Sequence, residues 1–381
     1  MKQQIVHARI VLADTILEDG VCCFENGNIC YVGVQPQPDA ETVLDAAGNW
    51  LLPGFVDIHC HGAAGKDFRD CTAEEMLEIA RFHLKKGTTT LLATTTTGSW
   101  ESIYRALDRY ASLEDKLNMT GVHMEGPWFN PAQCGAQDVN TMDMHPSAEH
   151  LRQLKARYPF VARVSAAPEL PGGHEFGEAG KELGIVMSMG HTDATFAQTL
   201  EAAEHGYSLM THLYSGMRGT VRENIFRVAG AVEGGLYDDR LDVEIIADGR
   251  HLPVELLRYI CKVKVFDKVC LITDAIRAAG LPEGTVFNDG THDAIVEDQV
   301  GKIMDRSCFV GSVASADRLI RVMYLEAGLP LTAVSHMASA VPARIMGYAD
   351  RGVIEVDKRA DLVVLDKNLE TTHVFLNGIL Q

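Results

Sequence analysis

Between residues 52 and 273, apolar runs of strand length recur eight times: 52–58, 88–95, 121–124, 162–167, 184–189, 208–213, 241–247 and 269–273. Most are followed by a stretch with helical spacing. The clearest is 72–86, where Met76, Leu77, Ile79, Ala80 and Leu84 fall on one face. The runs are continuous rather than alternating, which suits strands buried on both faces of a parallel sheet. Eight such strands with interleaved helices predict an α/β fold, a (β/α)8 TIM-type barrel rather than an open doubly wound sheet.

The two ends of the chain read differently. Short strands separated by turn signals are expected over 5–12, 20–24 and 28–34, and again over 352–356, 360–365 and 372–376. The ends are expected to pair into a small β-sandwich domain, residues 1–50 with 347–381, beside a barrel domain over 51–346. A chain of 381 residues is long enough for that division.

Composition narrows the class of partner. A formal net charge of −18 argues against a nucleic-acid surface, because a phosphate backbone needs a basic stripe. It leaves room for a phosphorylated small molecule, which needs only a few local cations. No run of apolar residues is long enough to span a membrane, and the first residues form no signal-peptide core. The nine cysteines are odd in number and contain no Cys-x-x-Cys pair, which reads as reduced thiols in a cytoplasmic protein.

The informative polar residues terminate the apolar runs. The first run ends in His59-Cys60-His61, the third in Glu125 and the fifth in His191. The sixth runs into His212 and the eighth ends in Asp274. In a barrel the carboxyl ends of all strands share one face, where active sites form. The strand period of two points His59 and His61 to the same side. Imidazole with carboxylate suits zinc or iron(II), whereas magnesium favours oxygen ligands. Asp274 could cap the following helix, but it is also the acid left over once the ligands are counted. A metal-activated water needs a neighbouring base, and Asp274 is assigned that catalytic role. His83, His145 and His150 read as solvated or capping residues. The His-x-Glu at His123 and Glu125 lacks the Pro-Cys-x-x-Cys that a zinc nucleobase deaminase requires.

Several stretches resemble a known family. Leu52-Pro53-Gly54-Phe55-Val56-Asp57-Ile58-His59-Cys60-His61-Gly62 resembles the first-strand signature of the amidohydrolase superfamily, and 359–366 its C-terminal signature. His123-Met124-Glu125-Gly126-Pro127, 190–195, 211–214, 247–251 and 272–281 resemble the N-acetylglucosamine-6-phosphate deacetylases. The resemblance implies that Glu125, His191 and His212 hold a divalent metal, zinc or iron. His59 and His61 match a pair that holds a second ion in some members, so one or two ions are expected, with Glu125 bridging. Asp274 matches the general acid/base of acetamide hydrolysis. Substrate contacts are implied for Ala136, Gln137, Ser215, Gly216, Arg222, His251, Phe309 and Val310, with His251 and Arg222 on the phosphate and Arg227 competing for it. A homodimer is implied as well.

Three departures fall on substrate contacts. Gln137 stands where the family usually has His, Ser215-Gly216 where Asn-Ala or Asn-Gly is usual, and 220–227 lacks the common His before Arg. The expected activity is therefore deacetylation of N-acetylglucosamine-6-phosphate. The alternatives are another N-acetylated amino sugar phosphate, such as N-acetylgalactosamine-6-phosphate, or a non-catalytic sugar-phosphate-binding regulator.

Overall fold

The computed structural model describes residues 1–381. Eight parallel strands run around a barrel: β1 (Phe55–Cys60), β2 (Thr88–Thr95), β3 (Met119–Glu125) and β4 (Val161–Ala166), then β5 (Val186–Met189), β6 (Tyr207–Met210), β7 (Asp242–Ile246) and β8 (Val269–Ile272). They are hydrogen-bonded in chain order. The ring closes just past the first and last strands, where the Asp274 N–H donates to the His59 carbonyl at 2.9 Å and the His61 N–H to the Ala275 carbonyl at 2.8 Å. Two of the candidate ligands and the candidate base thus sit on the seam.

Helices α1 (Ala73–Lys85), α2 (Trp100–Ser112), α3 (Ala148–Arg157), α4 (Gly173–Glu182) and α5 (Phe196–Glu204) follow the first five strands. Helices α6 (Ala231–Tyr237), α7 (Val254–Val263) and α8 (Ala316–Arg321) complete the ring. Local chemistry sets α1: Thr72 and Glu75 cap it reciprocally, and Met76, Ile79, Ala80 and Leu84 turn inward. His83 turns inward with them. It is fully buried, near the Cys60 thiol and the Gly62 carbonyl, so its reading as a solvated residue is corrected. A helical spacing of three or four from Ile79 and Ala80 puts it on the core face.

The barrel strands hide a period of two. Leu91, Ala93, Val122, Met124, Val164, Ala166, Val243 and Ile245 belong to the large apolar core. The intervening Asp57, His59, His123, Glu125, Arg163, Ser165 and Glu244 are equally buried, inside the barrel. Arg163 donates to Glu244 from both terminal guanidinium nitrogens, Nη2 at 2.9 Å, and His123 meets Ser165 at 2.8 Å. The polar residues inside the barrel are hydrogen-bonded to one another, as a buried polar set must be.

The terminal segments form one eight-stranded sheet. Gln3–Val11, Ile16–Glu25, Asn28–Gly33, Glu41–Asp45 and Trp50–Pro53 come from the start of the chain, and Leu362–Leu365, Thr371–Leu376 and Ile379–Leu380 from its end. Leu362–Leu365 runs antiparallel to Trp50–Pro53. The sheet has its own apolar cluster, including Ile5, Ile10, Phe24, Leu51, Leu362 and Phe375. The run expected as a single strand over 52–58 therefore breaks in two. Pro53 ends the terminal sheet and Phe55 begins the barrel, with Gly54 packed so closely that a Cβ there would lie 2.0 Å from Thr89 Oγ1. The strand expected over 352–356 does not form; Gly352 adopts a φ of +90° in its place.

The sequence reading also missed an antiparallel sheet of Val286–Asn288, Asp293–Glu297, Val300–Ile303 and Phe309–Ser312 between β8 and α8. No helix is long and apolar enough to cross a membrane.

Candidate metal centre and active-site cavity

Glu125, at the end of β3, is the hub of the site. Its Oε1 lies 2.8 Å from His212 Nε2, 3.4 Å from His191 Nε2 and 3.5 Å from His59 Nε2. Its Oε2 lies 3.4 Å from His61 Nε2. Asp274 Oδ1 is 3.2 Å from His61 Nε2 and 3.4 Å from His59 Nε2, and those two nitrogens are 3.2 Å apart. All six residues are buried.

The backbone is bent to achieve this. His191, His212 and Asp274, each just past a strand end, have φ of +46°, +31° and +46°. A non-glycine residue in this left-handed region costs about 1 kcal/mol or more, and such residues gather where function over-determines geometry. The supports around them are specific. Glu169 accepts from Thr192 Oγ1 at 2.5 Å and from the Asp193 N–H at 2.6 Å, holding the His191 loop. Glu244 accepts from the His212 N–H at 3.2 Å.

Tautomers follow from these partners. Glu244 accepts at His59 Nδ1, 3.3 Å away, and the Gln133 carbonyl accepts at His191 Nδ1, 2.9 Å away. Each Nδ1 thus carries the proton and each Nε2 turns a lone pair toward Glu125. Lone pairs and carboxylate oxygens facing one another repel unless a cation sits among them. Ligands about 2.0–2.1 Å from one zinc lie roughly 3–3.5 Å apart; the contacts of His191, His59 and His61 with Glu125 fall in that range, and His212 is closer at 2.8 Å. His59, Glu125 and His212 form one group that could hold an ion, and His59, His61 and Asp274 another. The residues present fit a divalent metal.

Burial alone would raise the Glu125 carboxyl; when no ion takes the imidazole lone pairs, Nε2 protons on His59, His191, His212 and His61 hold it well below the usual carboxylate range. Asp274 is likewise opposed by burial, yet the neighbouring His59 and His61 keep it at about 2. Both are carboxylates at neutral pH, as ligands and proton acceptors must be.

A cavity of about 270 Å³ opens above these groups. The amidohydrolase family model matches residues 50–380, spanning every one of them. The chain belongs to the amidohydrolase family. It is 32% identical to an N-acetylgalactosamine-6-phosphate deacetylase of Escherichia coli O157:H7, over 98% of this chain and 97% of that one. It is 30% identical to an N-acetylglucosamine-6-phosphate deacetylase of Lysinibacillus sphaericus, over 91% of this chain and 89% of that one. Among solved structures, a mutant N-acetyl-D-glucosamine-6-phosphate deacetylase of Mycobacterium smegmatis, in complex with N-acetyl-D-glucosamine-6-phosphate, superposes with a TM-score of 0.91 at 28% identity. That match covers 100% of this chain and 99% of that one. The protein is a hydrolase acting on an amide bond.

In this amidohydrolase Ala136, Gln137, Ser215, Gly216, His251, Phe309 and Val310 all line the cavity. Gln137 is anchored: its Nε2 donates to Glu125 Oε2 at 2.8 Å and its Oε1 accepts from the Thr97 N–H at 3.1 Å. His251 Nδ1 is 2.8 Å from Asp248 Oδ2. Arg222 and Arg227 are not brought to the cavity of their own chain. They lie on a hairpin, Val221–Glu223 with Phe226–Val228, whose exposed tip carries Ile225 and Phe226. The cations that do line the cavity are Arg69 and Arg277, which sequence reasoning missed. Arg277 is paired with Asp70 at 2.7 Å, and Arg69 donates to the Asp289 carbonyl in the missed sheet. No motif marks either arginine; only the fold of the 282–312 segment brings Asp289 beside Arg69.

Proposed function

We propose that this amidohydrolase removes the acetyl group of N-acetylglucosamine-6-phosphate, giving glucosamine-6-phosphate and acetate. The observation that carries the reading is the convergence of Glu125, His59, His61, His191 and His212 on one space with Asp274 beside it. The names of the relatives and of the M. smegmatis complex supply the substrate class. The relative that is 32% identical acts by its name on the galactosamine isomer, which keeps that sugar as the second reading.

His191, His212 and Glu125 would hold one ion, and His59 and His61 a second bridged by Glu125, of zinc or iron. What bound divalent ions supply at such a site is Lewis acidity toward a water and toward a carbonyl oxygen. The chain's own residues do the rest. Asp274, ionised at neutral pH, accepts the proton of the attacking water and returns it to the amine nitrogen as the C–N bond breaks. Gln137 donates to Glu125 Oε2 and fixes the orientation of that carboxylate. His251, oriented by Asp248, faces the sugar together with Phe309, Val310, Ala136, Ser215 and Gly216.

We infer that Arg222 meets the 6-phosphate across a homodimer. The exposed Ile225 and Phe226 beside it support this, since an apolar hairpin tip is ordinarily covered by a partner. The terminal segments, 1–50 and 347–381, are read as a small β-sandwich domain around their own core, and nine free cysteines support a cytoplasmic location. Acetate release from N-acetylglucosamine-6-phosphate, its galactosamine isomer and unphosphorylated N-acetylglucosamine tests the substrate. The glucosamine phosphate is expected to have the highest kcat/KM. Faster turnover of the galactosamine isomer would select the second reading, and no acetate from either phosphate would refute both.

A further inference from the structure

We propose that His174, Glu201 and His205 form a separate metal site on the outside of the barrel, taking one zinc-class transition ion. His174 lies in the first turn of α4, Glu201 in the last turns of α5, and His205 caps α5. One ligand atom from each lies within 4.8 Å of the others. The two imidazole rings are parallel, with centroids 4.4 Å apart, and His174 Nδ1 is 3.9 Å from Glu201 Oε1. None of the three lines the catalytic cavity.

Two features separate this cluster from a chance meeting of surface residues. His205 Nδ1 is 2.7 Å from Glu178 Oε1. A carboxylate can only accept there, so Nδ1 holds the proton and Nε2 is left as a free lone pair. A carboxylate behind an imidazole in this way is the arrangement that orients metal-binding histidines and raises their basicity. In addition, a pocket of about 140 Å³ adjoins the cluster, lined by His174, Glu175, Gln198 and Glu201. It leaves room for an ion with water completing its shell. Two imidazoles and a carboxylate match zinc, and also nickel or copper(II), but not calcium or magnesium. A bound ion would tie the start of α4 to the end of α5.

The test uses the tag-free holoenzyme, with its catalytic ions already loaded, titrated with Zn²⁺ against a chromophoric chelator. The wild type is expected to take up one equivalent more than His174→Ala/His205→Ala, with deacetylase activity equal in the two. Glu178→Gln is expected to keep the equivalent but bind it about tenfold more weakly. Equal uptake by the wild type and the double variant would overturn the site. Unaltered affinity in Glu178→Gln would overturn its construction as an oriented ligand set.

Discussion

His59 Nδ1 lies 3.3 Å from Glu244 Oε2 inside the barrel, on the side away from the cavity. Glu244 is on β7, and it also accepts from the His212 backbone and from both terminal nitrogens of Arg163. One fully buried carboxylate thus ties together two candidate ligands at distant positions in the chain. The Arg163 guanidinium keeps it ionised against the pull of burial. The pair orients His59 as the outer carboxylate of a metal site orients its imidazole.

Glu244→Gln keeps the shape but loses that charge. Affinity for the ion held by His59 is expected to fall 10- to 100-fold, while the ion on His191 and His212 is retained. Metal content after dialysis against graded chelator reads this directly. Loss of both ions together, or of neither, would contradict the assignment.

Asp274→Asn removes the proton acceptor and leaves the imidazoles in place. The expected result is a drop in kcat of about 10²–10⁴-fold with metal content unchanged. A variant retaining more than a tenth of wild-type kcat would remove Asp274 from the mechanism.

The strand-end residues were legible in the sequence because barrel topology brings together any side chain that follows an apolar run. Their supports were not. Arg163 and Glu244 sit within runs that read as apolar, and nothing local shows that they face inward and meet. His83 has the composition of a surface residue and the spacing of a core one. Arg222 is singled out by resemblance alone, and it lies on a hairpin outside the cavity of its own chain. The sheet over 286–312 is built of strands of three to five residues, too short for periodicity to register.

Gly54 is where the terminal sheet hands over to the barrel. A Cβ there would meet Thr89 Oγ1 at 2.0 Å and Cγ2 at 2.5 Å, and Thr89 is a β-branched residue held in β2. Gly54→Ala is expected to cost about 1–3 kcal/mol in urea unfolding. Adding Thr89→Ala should recover part of the loss, because it removes the two nearest atoms and leaves only Cβ, at 2.8 Å. No recovery would mean that the strain lies elsewhere.

Asp57 is buried on β1, and burial pushes its carboxyl up to about 7 against hydrogen bonds from Thr273 and the His59 N–H. The unfolded chain ionises near pH 4, so between about pH 4 and 7 the native state holds a proton that the unfolded state has lost. This group's contribution to stability therefore falls as pH rises through that window. Asp57→Asn has no such dependence. Its stability relative to wild type should improve by on the order of a few kcal/mol from pH 5 to pH 8, at about 1.4 kcal/mol per pH unit. Parallel curves for the two proteins would refute the shift.

Diffraction from crystals of the untreated protein, recorded above and below the zinc and iron absorption edges, tests the central claim most directly. An anomalous peak is expected about 2.0–2.2 Å from Glu125 Oε1, His191 Nε2 and His212 Nε2, with a second against His59 and His61. A metal-free map from a preparation that is fully active, or a peak away from Glu125, would contradict the account.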